Sequence, residues 1–92
     1  MKTFNEEQLT EEKLMVKFGA DWCGPCKMVA PVLEELSEEG YNICEVDVSD
    51  SPEVAAKYGI RGVPTYIIFE DGKEVLRDSG TKTKSEFQDM LK

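Results

Sequence analysis

The sequence predicts an α/β fold: a central mixed sheet of four to five strands, flanked by helices on both faces, with an abbreviated N-terminal strand. Three observations carry this. Short apolar runs alternate with segments of helical periodicity, so strands and helices interleave along the chain. Helices separate the early strands, as parallel neighbours require, whereas an Asp-Gly turn joins the last two and makes them antiparallel. Finally, 92 residues, 40% hydrophobic and 33% charged, suffice for one folded domain around one core. No linker, repeat or low-complexity stretch divides the chain, so that domain is expected to span residues 1–92.

Taken in order, Lys2–Phe4 offers at most a stub of strand. Asn5 and Gln8 have capping-box spacing and predict a short helix near Asn5–Thr10. "LMVKF", Leu14–Phe18, is an apolar run broken by one lysine and reads as a buried strand. Met28, Val29, Val32, Leu33 and Leu36 recur at helical spacing, with Gly40 as the stop. Pro31 lies inside that helix and is expected to kink it. "NICEVDV", Asn42–Val48, alternates as a strand does. Ser51-Pro52 starts a short helix with Val54, Ala55 and Tyr58 on its apolar side, and Gly59 ends it. "TYIIF", Thr65–Phe69, is a strand, and Asp71-Gly72 turns it into a partner over Lys73–Asp78. Thr83 and Glu86 form a second capping box, and Phe87, Met90 and Leu91 give the last helix its buried stripe.

Charge excludes some functions. Net charge is −8, from 19 acidic and 11 basic residues, so the chain lacks the basic footprint that nucleic acid demands. No apolar run approaches the ~20 residues of a membrane-spanning helix. The opening "MKTFNEEQLTEEK" is acidic and has no apolar core, so it does not read as a signal peptide. A cytoplasmic protein, acting as a monomer and away from membranes, is the expectation. Three cysteines cannot all pair within one chain.

Two of those cysteines stand in "WCGPCK", with only Gly24 and Pro25 between Cys23 and Cys26. Cys23 falls where strand and loop give way to helix, and Cys26 falls in the first turn. A helix N-terminus presents unpaired N–H groups and the positive end of the macrodipole, and both favour thiolate over thiol. A structural disulfide across so short a loop would constrain the unfolded chain little. A zinc site would find only two ligands here, with no histidine in the chain and Cys44 as the one further thiol. Redox exchange uses both the spacing and the helix position. Cys23, the outer member, is then the expected nucleophile and Cys26 the resolving thiol. Cys44, in a strand, reads as a small buried apolar residue.

"WCGPCK" resembles the active-site motif of the thioredoxin family. Further matches follow in register: Pro31, "KYGIRGVPT" at Lys57–Thr65, "FEDGK" at Phe69–Lys73, and Gly80. The resemblance covers nearly the whole chain. It implies the thioredoxin fold, a cis Val63-Pro64 bond facing the cysteines, and a substrate groove made by Trp22, Gly62, Val63, Pro64 and Gly80. An extended target would pair there with the Val63 backbone. It also implies a protein dithiol–disulfide oxidoreductase that reduces disulfide-containing target proteins and is re-reduced by a separate reductase of the thioredoxin-reductase type. No nucleotide or flavin motif is present, so neither cofactor nor metal is expected. A glutaredoxin-like, glutathione-dependent reductant and a thioredoxin-fold binding or assembly subunit are the alternatives. Gly-Pro between the cysteines, rather than Pro-Tyr, argues against the first, and the intact cysteine pair argues against the second.

The chain departs from the family at two aligned positions. Many members carry a buried aspartate six residues before the first cysteine, opposite a lysine on the next parallel strand. Here those positions hold Lys17 and Glu45. A charge-reversed, buried ion pair supporting Cys26 is the expectation, since a buried lysine alone is costly. The alternative has Lys17 snorkelling to solvent. Gly19, three residues before Trp22, is expected to open the floor beneath the cysteines.

Overall fold

The structure, a computed structural model, describes residues 1–10 and 12–92. β1 is the stub Lys2–Thr3, and Asn5 caps a single 3-10 turn, Glu6–Gln8, through a complete capping box. The capping residues are those the sequence indicates, but the helix is one turn and ends before Leu9. β2 is Leu14–Gly19, α1 Gly24–Glu38, β3 Ile43–Asp47 and α2 Pro52–Lys57. β4 is Thr65–Glu70, β5 Lys73–Ser79 and α3 Lys84–Met90.

The five strands form one open sheet in the order β1-β3-β2-β4-β5. β3 runs parallel to β1 and β2, while β4 is antiparallel to β2 and β5. The β4–β5 turn has φ 55° at Asp71 and 76° at Gly72. Two consecutive positive values are what a type I′ hairpin needs, and aspartate and glycine tolerate them.

Two apolar layers sandwich the sheet. α1 and α3 bring Val29, Leu33, Leu36 and Phe87 onto Met15, Ile43, Tyr66 and Ile68. On the other face α2 and the N-terminal segment bring Val54, Tyr58, Phe4 and Leu9 onto Leu14, Val16, Phe18, Cys44 and Phe69. Not every apolar residue at helical spacing in α1 is buried. Met28 is 68% exposed, because the helix presents Val29, Leu33 and Leu36 to the sheet and turns Met28 well away from that line. Pro31 lies within α1, which runs unbroken from Gly24 to Glu38. Ser51 occupies the N-cap of α2 without a side-chain hydrogen bond, so Pro52, with no N–H to satisfy, carries the start of that helix.

Candidate functional site

The sheet delivers its central strand, β2, directly into the cysteine loop. Cys23 is the N-cap of α1, Pro25 lies in the first turn, and Cys26 follows one turn on. Cys23 and Cys26 are joined by a disulfide, with Cα atoms 5.3 Å apart. The Cys26 N–H donates to Cys23 Sγ at 3.2 Å, so the sulfur does the work a serine or aspartate oxygen does at other helix starts. Both cysteines are covered, Cys23 at 5% exposure and Cys26 at 2%. Gly24 and Pro25 between them are exposed.

Trp22 is not packed. It is 70% exposed, and its indole N–H donates to Ser49 Oγ at 2.9 Å. The Ser49 N–H in turn donates to Asp47 Oδ1 at 2.8 Å, which ties the tryptophan to the end of β3.

The Val63-Pro64 peptide is cis. Val63 packs against Ala20, Cys23 and Cys26, so the loop before β4 abuts the disulfide. Three hydrogen bonds fix that loop. Gly80 N–H donates to Pro64 O at 3.1 Å, Tyr66 Oη–H to Gly80 O at 2.9 Å, and Thr65 Oγ1–H to Gly62 O at 2.7 Å. Gly80 has φ 91°, a conformation that favours glycine. Gly62 has a negative or extended φ and open space around it, so nothing in the fold itself requires glycine there. Gly59–Thr65 and Arg77–Gly80 border a shallow groove of about 620 Å³, which takes in Gly62, Val63, Pro64 and Gly80 of the anticipated set but is bordered by neither Trp22 nor the cysteines. Thr65 and Tyr66 escaped the sequence reading. Their hydroxyls lie in what the pattern marks as plain strand, and their partners are set by tertiary placement rather than by spacing.

Behind the disulfide lies a second recess, of about 420 Å³, bordered by Lys17, Gly19, Cys26 and Glu45 among others. Lys17 is buried at 6% exposure and belongs to the α1 face of β2, in register with Glu45 of β3. The anticipated ion pair does not form. Among the described residues no carboxylate stands within ion-pair distance of Lys17, and Glu45 remains half-buried beside it. Register partners in a parallel pair share a face, but Lys17 Cε lies against Gly19, close to where a side chain there would stand, and the ammonium does not close on Glu45. Snorkelling to open solvent is equally inconsistent with its burial. Burial pushes the Lys17 amine below the ordinary lysine range, and the Glu45 and Glu34 carboxylates pull it partly back. Cys44 is buried and free, and burial pushes its thiol up. Its Sγ donates to Gln8 Oε1 at 3.2 Å. Among the described residues no group of three metal-ligating side chains converges, and no helix is long and apolar enough to cross a membrane.

The thioredoxin family model matches residues 1–92. The chain belongs to the thioredoxin family. Thioredoxin from Bacillus subtilis strain 168 is 40% identical over 87 residues, covering 91% of this chain and 84% of that one. Thioredoxin from Chlamydia trachomatis is 48% identical over 73 residues, covering 77% and 72% respectively. Among solved structures, a single-site mutant of thioredoxin from Halobacterium salinarum superposes with a TM-score of 0.86 at 31% identity, over 98% of this chain and 84% of that one. Fasciola hepatica thioredoxin gives 0.84 at 36%, over 92% and 83%. The thioredoxin fold is thus present with a first strand of only two residues, as the sequence implies. Family and disulfide together support a dithiol–disulfide oxidoreductase.

Proposed function

We infer that this chain reduces disulfides of target proteins through a reversible Cys23–Cys26 disulfide, with Cys23 as nucleophile and Cys26 as resolving thiol. The observation that carries the reading is the disulfide at the N-terminus of α1 with the Val63-Pro64 loop packed against it. In the dithiol form the Cys26 N–H and the helix N-terminus favour a thiolate at Cys23. That thiolate attacks one sulfur of the target disulfide, and the other target sulfur leaves with the bonding pair and takes a proton from water. Cys26 then attacks Cys23 Sγ, the Cys23–target bond breaks, and the target departs fully reduced. Two electrons have passed to the target, and the protein returns as the disulfide.

The groove supports docking of an extended segment. Among the described residues, neither backbone polar group of Val63 bonds to another part of the chain, so both are open to a target strand. Gly62 and Gly80 keep the approach clear, and exposed Trp22, next to Cys23 in the chain, offers a target an apolar contact outside the groove. A reductase of the thioredoxin-reductase type is the proposed electron donor, and a reducing compartment such as the cytoplasm suits a working dithiol.

Reduction of insulin disulfides, with dithiothreitol as terminal reductant, tests this. Cys23→Ser is expected to abolish the reaction. Cys26→Ser, reduced and then freed of dithiothreitol before insulin is added, is expected to accumulate a mixed disulfide on Cys23, since attack proceeds and resolution does not. Adducts found only on Cys26, in the Cys23→Ser variant, would reverse the assignment.

A further inference from the structure

Lys17 is the one charged side chain buried on the central strand, and the exchange cycle above leaves it without a task. Its placement suggests one. Alternation along β2 puts Met15, Lys17 and Gly19 on the face beneath α1. A Cβ built on Gly19 would stand 3.1 Å from Lys17 Cε and 3.3 Å from Cys26 Sγ. The end of the lysine chain and the buried sulfur therefore border the same small space, the one that a larger residue at position 19 would fill. Both border the recess of about 420 Å³.

Other charges reach this recess but are differently engaged. On β3, Asp47 accepts the N–H groups of Ser49 and Asp50, at 2.8 and 3.4 Å, so its carboxylate serves its own turn. Glu45, also on β3, lies beside Lys17 in register. Asp21 and Asp50 in the loops and Lys27 on α1 are exposed, while Glu34, on α1 but outside the recess, pairs with the Met1 ammonium. On β4, Tyr66 opposes Lys17, and its hydroxyl is committed to Gly80.

We propose that Lys17 is a positioning residue for Cys26: its ammonium stabilises the Cys26 thiolate, which speeds resolution and weights the redox couple toward the dithiol. The inference rests on the dithiol–disulfide reading and adds the poise of that couple. In the mixed disulfide, Cys26 gives its proton to water in the recess. Its thiolate attacks Cys23 Sγ, the Cys23–Cys26 bond forms, and the target sulfur leaves with the electron pair. The disulfide carries no negative charge, so the ammonium loses its counter-charge on oxidation and regains it on reduction. Whatever stabilises the reduced form makes the couple more oxidising. An aspartate at this position would do the opposite, holding the Cys26 proton in place by repulsion of the thiolate. Glu45 helps to keep the lysine charged while the disulfide is formed.

The test equilibrates wild type, Lys17→Met and Lys17→Arg with mixtures of reduced and oxidised glutathione. Acid quenching and alkylation then give the dithiol fraction by mass. Lys17→Met is expected to shift the equilibrium roughly tenfold toward the disulfide, about 30 mV more negative for a two-electron couple, while Lys17→Arg stays with wild type. An unchanged equilibrium in Lys17→Met, or a shift toward the dithiol, overturns the proposal. A second readout needs no variant. The Cβ carbon resonance of Cys26 in the reduced wild type should titrate below the ordinary thiol value of ~8.5, and a midpoint at or above it overturns the proposal as well. Insulin reduction separates this from the reading it rests on. Activity with a Lys17-independent potential sinks only the role of Lys17, whereas inactivity of wild type sinks the reductase reading even if the potential follows Lys17.

Discussion

β2 and β5 flank the same strand, β4, and both pair with it antiparallel, yet β2 is buried along its whole length and β5 is exposed along its whole length. Helices cover both faces of β2, with α1 on one side and α2 with the N-terminal segment on the other. β5 sits at the sheet edge, where α3, only seven residues long, does not shield it. A register shift opposite Ile68 and Phe69 leaves Val75 without a partner and turns both Val75 and Leu76 outward, at 55% and 42% exposure. Apolar side chains therefore contribute very differently on the two strands. On β2 they are the core, and on β5 they are surface. The site inherits this split. Its cysteines extend from the most deeply buried strand, while the groove borrows only the terminal segment of the least covered one.

The largest expected effect tests β2. Phe18 is fully buried and packs 6.0 Å from the Tyr58 ring. Phe18→Ala should cost about 3–5 kcal/mol in urea unfolding, seen as a lower midpoint at constant slope. A loss below ~1 kcal/mol would erase the distinction between the strands.

A smaller effect of opposite sign is expected at Lys17, whose charge sits where β5 keeps its own charges in water. Its folded-state value lies below its unfolded value. Between the two, the unfolded chain holds more protons, so stability should rise with pH up to the ordinary lysine range near ~10.4. Lys17→Met should flatten that rise and stabilise the oxidised protein at neutral pH by on the order of 1 kcal/mol. Unfolding curves of the oxidised proteins across alkaline pH check this, and an unchanged slope would place the lysine in effective contact with water.

Most of the fold was legible because its signals are local. The capping pairs Asn5/Gln8 and Thr83/Glu86, the Asp71-Gly72 turn and the alternation of β3 all act within a few residues. The cysteine pair was legible for the same reason, since its chemistry follows from spacing and a helix start. What was missed depends on alignment between distant segments. The Tyr66 hydroxyl finds Gly80 fourteen residues on, and Trp22 finds Ser49 twenty-seven residues on. Lys17 and Glu45 are neighbours in register, as expected, but register fixes the backbone and not the direction of a long side chain. Helical spacing alone did not separate Met28 from Val29: neighbouring positions on a helix are about a quarter turn apart, and only one of them faces the sheet.

The smallest effect returns to β5. Leu76→Thr should change stability by no more than ~0.5 kcal/mol and leave insulin reduction intact. A loss comparable to that of Phe18→Ala would mean that β5 is covered in solution by something the isolated chain does not supply.

The exposed edge of β5 also bears on how the protein behaves in a crowded solution. An unpaired strand edge is a template on which another chain can add, the first step toward aggregation. Here that edge carries Lys73, Glu74, Arg77 and Asp78, with Glu74 and Arg77 joined by two hydrogen bonds of 2.9 and 2.8 Å. An incoming strand would have to strip water from these charges, and the unpartnered Val75 spoils the regular ladder it would need. Together with a net charge of −8, which makes copies of the chain repel one another, the edge is guarded by charge and irregularity where the fold provides no covering helix.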